Sequence, residues 1–185
     1  MRIEQLRREF DLTLQHTVFP LHPETPAEGM ELDDLFAGRG FDLDAMFHRL
    51  RQVADEVALP LGNRTRTFNS RRAQELGKWA EQQGHGDAFR NAVYHAYFAE
   101  GRNISAINEL TGIAAEVELP PVEARDVITS GRYTAEVDAD WQRARSLGVT
   151  AVPTLHYQGN LLVGFTPYST MKNLITRSGS WARVD

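Results

Sequence analysis

Leu147-Gly148-Val149-Thr150-Ala151-Val152-Pro153-Thr154-Leu155-His156-Tyr157-Gln158-Gly159-Asn160-Leu161-Leu162-Val163-Gly164-Phe165 is the stretch that decides the fold. A helix ends on Gly148, a short apolar run meets Pro153, and a β-hairpin follows through Gln158-Gly159-Asn160. Proline cannot donate to a sheet ladder, so one at the mouth of a strand has a special role. A fixed, tight X-Pro bond is the usual setting for a cis peptide. The Val152-Pro153 bond is therefore a candidate for a cis peptide.

Working outward, Val137, Trp141, Ala144 and Leu147 carry a helix into Gly148, and Thr166-Pro167 opens a last helix with Met171, Leu174 and Ile175. At the other end, Ile3, Leu6 and Phe10 have helical spacing, so the chain opens inside a helix. Leu12, Leu14, His16 and Val18 then alternate with Thr13, Gln15, Thr17 and Phe19, the period-two signature of a strand. A loop with Pro20, Pro23, Pro26 and Gly29 follows.

The middle reads as helices. Asp42 caps one that carries Leu43, Met46, Phe47, Leu50, Val53, Ala54 and Val57 and stops before Pro60. Asn69 is placed to cap a second through Ala73, Leu76 and Ala80; Phe89 to Tyr97 mark a third; Ser105 starts a fourth. Pro120-Pro121 opens a fifth, because proline is tolerated at the first helical position. There is no repeat and no low-complexity tract. Two β regions separated by a helical block predict one sheet with a helical insertion, since a lone strand or hairpin is marginal in water.

Composition bounds the function. The 185 residues are 42% hydrophobic and 24% charged, as in an ordinary soluble globular protein with a proper core. A net charge of -5 gives no general pull toward nucleic acid or an anionic membrane. No apolar run is long enough to span a bilayer and Met1 to Arg8 is no signal peptide, so the expected location is cytoplasmic. The chain has no cysteine, which excludes disulfides, thiolate chemistry and cysteine metal sites. The six histidines are scattered, with no pair on one helix turn, so no metal is expected. No glycine-rich phosphate cradle occurs and no cofactor is expected.

Several markers occur in order. They are Phe19-Pro20-Leu21-His22-Pro23-Glu24-Thr25-Pro26 with Glu28-Gly29-Met30, then Asn69 with Arg72-Ala73, then Tyr94-His95-Ala96-Tyr97-Phe98-Ala99-Glu100-Gly101-Arg102-Asn103-Ile104. Ala144-Arg145-Ser146-Leu147-Gly148-Val149 leading into Val152-Pro153 completes the series. In order and spacing, over nearly the whole chain, they resemble the FrnE-like branch of the DsbA family. The resemblance implies an α/β thioredoxin-like sheet with a large all-helical insertion. Residues 1–36 and 148–185 would form the thioredoxin-like part and residues 37–147 the helical insertion domain. The expected strands are Leu12 to Phe19, Thr154 to Tyr157 and Leu161 to Phe165.

Family members begin with a central strand and a Cys-x-x-Cys at the start of the first helix; this sequence starts within what resembles that helix. The expectation is either a start codon assigned too far downstream or a degenerate, non-redox member. Without the central strand, the strands on either side close together, take a strand from a partner or pair with something else, and a homodimer is expected.

The family's chemistry is thiol–disulfide exchange by a thiolate at a helix N-terminus, acting on a substrate held beside the cis-proline. With no sulfur nucleophile, this chain carries no catalytic residue. What remains is substrate binding. Pro153 with its flanking Val152 and Thr154 would hold an extended peptide or a small thiol by strand addition, the alternative being a structural turn. Asn69 would reach the groove, the alternative being a plain cap. Phe19 would line an apolar cleft, the alternative being core. Arg64, Arg66, Arg71 and Arg72 read as a solvated basic face, the alternative being an anion site. Three functions compete: an oxidoreductase-family protein without redox residues, a glutathione-dependent isomerase or transferase of the hydroxychromene-carboxylate type, and a non-catalytic peptide-binding module.

Overall fold

The computed structural model describes residues 2–40 and 42–177. In order the elements are α1 (Arg2–Glu9), β1 (Met30–Glu31), α2 (Leu32–Phe36), α3 (Leu43–Glu56), β2 (Arg66–Thr67), α4 (Arg71–Gln82) and α5 (Gly86–Tyr94). A π-helical turn, His95–Ala99, continues α5, followed by α6 (Ile107–Glu116), α7 (Pro121–Ser130), α8 (Thr134–Ser146), β3 (Thr154–Tyr157), β4 (Asn160–Val163) and α9 (Tyr168–Arg177). This is a mixed α/β chain with a helical insertion, and the longer helices fall where the apolar spacing puts them.

The chain divides into two compact units, residues 1–21 with 140–185, and residues 22–139. The second unit starts at 22 and ends at 139, beside the 37 and 147 expected for the insertion domain. The physical reason lies in the loop after Phe19. Met30 pairs with Thr67 and Glu31 with Arg66, so β1 is tied to β2. Ser105 Oγ and Asn103 Nδ2 both donate to the carbonyl of Ala27. The loop belongs with the helices it bonds to.

The helical unit packs around Leu76, Trp79, Phe89, Leu110, Ile113 and Val127, all buried. Asp42 caps α3 by accepting from the Ala45 N–H at 2.9 Å. Pro121 starts α7 and Gly131, at φ 62°, ends it.

In the other unit, Leu6, Phe10, Met171 and Ile175 form the core, with Leu12, Leu155, Tyr157 and Leu162 packed against it. Its sheet is the β3–β4 hairpin, with Thr154 opposite Val163 and Tyr157 opposite Asn160. Gln158 at φ 46° and Gly159 at φ 81° make the two-residue turn, whose twist suits a hairpin. Here the sequence reading needs correction: Leu12 to Phe19 is not a strand. Its alternation survives as alternating exposure from Asp11 to Gln15, and the Val18 N–H donates to Asp140 Oδ2 at 2.9 Å rather than to a strand. Among the described residues the segment has no strand beside it. A strand is defined by its neighbour, so an alternating pattern without one stays irregular.

Candidate functional site

The turn into β3 is built from three consecutive residues. Helix α8 stops at Gly148, whose N–H bonds back to Arg145, and Val149 reaches back to Ala144 at 3.0 Å. The Val152-Pro153 peptide bond is cis. The Pro153 carbonyl accepts from the Gly164 N–H at 2.7 Å, which fixes the register of the hairpin's open end. Thr154 Oγ1 donates to the Ala151 carbonyl at 2.6 Å and ties the turn to its own start.

That register decides which groups face outward. Bonded pairs alternate along an antiparallel ladder. Pro153 bonds Gly164, so Leu155 and Tyr157 face β4, while the main-chain groups of Thr154 and His156 point to the outer edge. Among the described residues neither has a partner there, and the N–H and C=O of Val152 have none either. The Val152 side chain is 44% exposed, with Val163 at 51% and Phe165 at 54% beside it at the hairpin's open end. Arg2 flanks this end: its guanidinium carbon lies 3.7 Å from the Phe165 ring centroid and Nη1 donates to the Thr166 carbonyl at 2.7 Å. From Gly148 to Phe165 the chain carries no Asp, Glu, Lys or Arg. Natural sheet edges are commonly guarded by such charges. Among the described residues this edge is open, and its own strand carries no charge.

Of the five residues that sequence reasoning singled out, the structure brings together Val152, Pro153 and Thr154. Phe19 lies in the same unit on the irregular segment, half-buried, its carbonyl accepting from the Leu21 N–H at 3.1 Å. Asn69 belongs to the helical unit, where its side chain is fully used. Oδ1 accepts from the Arg71 N–H at 2.9 Å, and Nδ2 donates to the carbonyls of Pro23 at 3.0 Å and Thr25 at 2.8 Å. It starts α4 and straps down the loop before β1. His156 as a presenter of outward backbone was missed, although the parity of a two-residue hairpin turn would have given it.

Two of the four arginines in the basic cluster are neutralised. Arg66 pairs with Glu31, Arg71 with Glu75 at 2.8 Å and Asp138 at 2.7 Å, and Arg72 donates to the Ser105 carbonyl at 2.9 Å. Among the described residues no group of three His, Asp or Glu could hold a metal ion, and no helix is long and apolar enough to cross a membrane.

Known proteins can be set beside this geometry. The family model for the DSBA-like thioredoxin domain matches residues 1–176. The fold is similar to that of a probable DsbA oxidoreductase from Streptomyces coelicolor, with a TM-score of 0.86 at 23% identity, covering 100% of this chain and 85% of that one. It is also similar to a 2-hydroxychromene-2-carboxylate isomerase, with a TM-score of 0.73 at 20% identity, covering 96% of this chain and 85% of that one. No curated protein matches the chain.

Proposed function

This chain belongs to the DSBA-like thioredoxin-domain family, and from that premise we propose that it performs the substrate-presenting part of the family's task. It holds an extended peptide against Val152-Pro153-Thr154 and carries no thiol chemistry of its own. The observation that carries this reading is the row of main-chain groups at Val152, Thr154 and His156 that have no partner among the described residues. An extended peptide supplies the complementary row by strand addition, which is indifferent to side chains along the bonded edge. Exchange itself needs a thiolate, and the sequence has no cysteine to provide one. Within the family, the markers from Phe19 to Met30 and from Tyr94 to Ile104 favour the FrnE-like branch, and the composition favours a cytoplasmic protein.

The test uses an alternating Thr-Val peptide as probe, together with the same peptide N-methylated at every residue so that both of its edges are blocked. A net main-chain hydrogen bond is worth about 1 kcal/mol, so each blocked pair should weaken binding by roughly fivefold to tenfold. Equal affinity of the two peptides would overturn the reading. The pure chain should also give no turnover in an insulin-reduction assay.

A second reading rests on the likeness to the isomerase, which covers 96% of this chain. Glutathione is itself a short extended peptide and would use the same edge. Binding of S-methylglutathione with no binding of the Thr-Val peptide would favour the isomerase-type reading. The uncharged edge also suits a second copy of this chain, and a homodimer is the expected state. Light scattering over a dilution series tests this; a monomer at the highest concentration would refute it.

A further inference from the structure

Of the four arginines around the start of α4, Arg64 alone is half-buried yet lacks a carboxylate partner among the described residues. Its Nη1 is committed to the protein, donating to the Arg66 carbonyl at 2.8 Å and to the Tyr97 hydroxyl at 2.6 Å. Its plane lies against aromatic rings, the guanidinium carbon being 4.4 Å from the Tyr97 centroid and 5.6 Å from that of Phe98. A guanidinium has five N–H donors in a planar fork. Among the described residues the Nε hydrogen and the Nη2 hydrogen beside it have no partner. They lie on the one edge that grips a carboxylate side-on with two parallel bonds.

The surroundings hold that edge in place. The Gly62 N–H donates to the Phe98 carbonyl at 2.9 Å. A Cβ at residue 62 would stand 2.2 Å from the Ala99 carbonyl oxygen, so only glycine lets this loop lie on the π-helical turn. Arg51 Nη1 donates to Asn63 Oδ1 at 3.2 Å from the other side. The Tyr97 hydroxyl is fixed in turn by Thr67 Oγ1 at 2.9 Å. From Arg64 a wall of rings leads outward. Tyr97 and Phe98 are 4.8 Å apart between centroids, Phe98 and Tyr94 are 6.1 Å apart, and Tyr94 is 55% exposed. Neighbouring carboxylates are engaged elsewhere: Glu31 with Arg66, Glu100 with Arg102 at 3.4 Å and with His95 at 3.4 Å. π-Helical turns of this kind are frequent at functional sites.

We propose that Arg64 and the aromatic face of the π-helical turn bind an aromatic carboxylate, the carboxylate forked on Nε and Nη2 and the ring laid along Phe98 and Tyr94. The same chemistry is presented by a free aromatic acid and by the C-terminal aromatic residue of a peptide. The site lies wholly within the helical unit, so its fate is independent of the peptide-binding reading.

Phenylacetate and phenylacetamide, titrated against the full chain and followed by the NMR signals of Tyr94 and Phe98, differ only in the charge and the second oxygen. The acid is expected to bind at least roughly tenfold tighter, the size of a charge-assisted fork. Arg64→Met should abolish that preference, and Arg64→Lys, which keeps the charge and loses the fork, should remove most of it. N-acetylphenylalanine against its amide separates the two sources: a preference larger than that of phenylacetate assigns the site to peptide C-termini, a smaller one to free acids. Equal binding of phenylacetate and phenylacetamide to the wild-type chain overturns the proposal, whether or not Arg64→Met folds. So does an Arg64→Met variant that folds and binds phenylacetate unchanged.

Discussion

The two units of this chain solve the same problem with unequal success. The helical unit, residues 22–139, closes its main-chain hydrogen bonds largely inside its own helices and buries Leu76, Trp79, Leu110, Ile113 and Val127 almost completely. The other unit holds Leu6, Phe10, Met171 and Ile175 in its core, with a two-stranded hairpin whose outer edge is unmatched among the described residues. A helix satisfies its backbone locally, whereas a strand exports half its bonds to a neighbour. Stability therefore concentrates in the helical unit, and unmet bonding capacity concentrates at Val152 to His156. In this fold the candidate peptide site is where the sheet is least complete.

The strongest way to break that comparison is to damage the helical core. Trp79 is 1% exposed, and its Nε1 donates to Glu123 Oε1 at 3.3 Å. Trp79→Ala should cost about 3–5 kcal/mol, through lost burial and a large cavity. Amide hydrogen exchange is the measurement to make. Protection should fall sharply in α4 to α7 and much less in the β3–β4 hairpin. Equal loss in both regions would mean that the units unfold as one body and that the contrast is not energetic.

A smaller effect sharpens the question of where the insertion begins. Gly29 has φ 87°, and a Cβ there would meet Phe68 Cδ1 at 2.5 Å and the Thr67 carbonyl oxygen at 2.7 Å. Gly29→Ala should cost about 1–3 kcal/mol from strained backbone and crowding together. The sensitive reporter is the Leu32 amide, which bonds the Thr65 carbonyl at 2.7 Å beside the β1–β2 pair. Its exchange should accelerate. An unchanged Leu32 amide would mean that the loop from His22 to Met30 is not held by the helical unit.

The same physics sorts what the sequence could reveal. Helices were legible because their determinants are local: Asp42 beside Ala45, Pro121 at a helix start, Gly148 past a helix end. Leu12 to Phe19 was misread because alternation records which side chains face in, and it carries no information about whether a neighbour exists. The β1–β2 pair, with two residues in each strand, and the five-residue α2 are too short for any period to show. The π-helical turn was read as the end of an ordinary helix, since one inserted residue barely disturbs the spacing of Val93, Ala96 and Tyr97. Val152-Pro153-Thr154 stood out because proline is costly beside a ladder. Arg64 did not, because its distinction is the pairing of its neighbours with Glu31, Glu75 and Asp138, and two of these lie far away in sequence.

The smallest expected effect tests whether the hairpin unit has electrostatic support of its own. Lys172 on α9 donates to Glu9 at the end of α1 at 2.8 Å, and Gln5 Nε2 donates to the same carboxylate at 2.9 Å. Lys172 chiefly, with the Tyr168 phenol and Gln5 adding to the effect, lowers the Glu9 pKa from 4.5 to about 2. Burial first, then Glu9, pushes the Tyr168 phenol up to about 12. A carboxylate whose folded pKa is depressed stabilises the fold above its unfolded value, and that contribution fades as the pH falls through the folded one. The Glu9 contribution should thus be complete above pH 4.5 and be lost progressively toward pH 2. The pair is partly exposed, so the effect should be slight and weaken with salt. Glu9→Gln should flatten the acid limb of the hairpin unit's thermal stability and leave its value at neutral pH a little lower. An identical acid limb in the two proteins would mean that packing of Leu6 and Phe10 on Met171 and Ile175 holds α1 to α9 without help from charge.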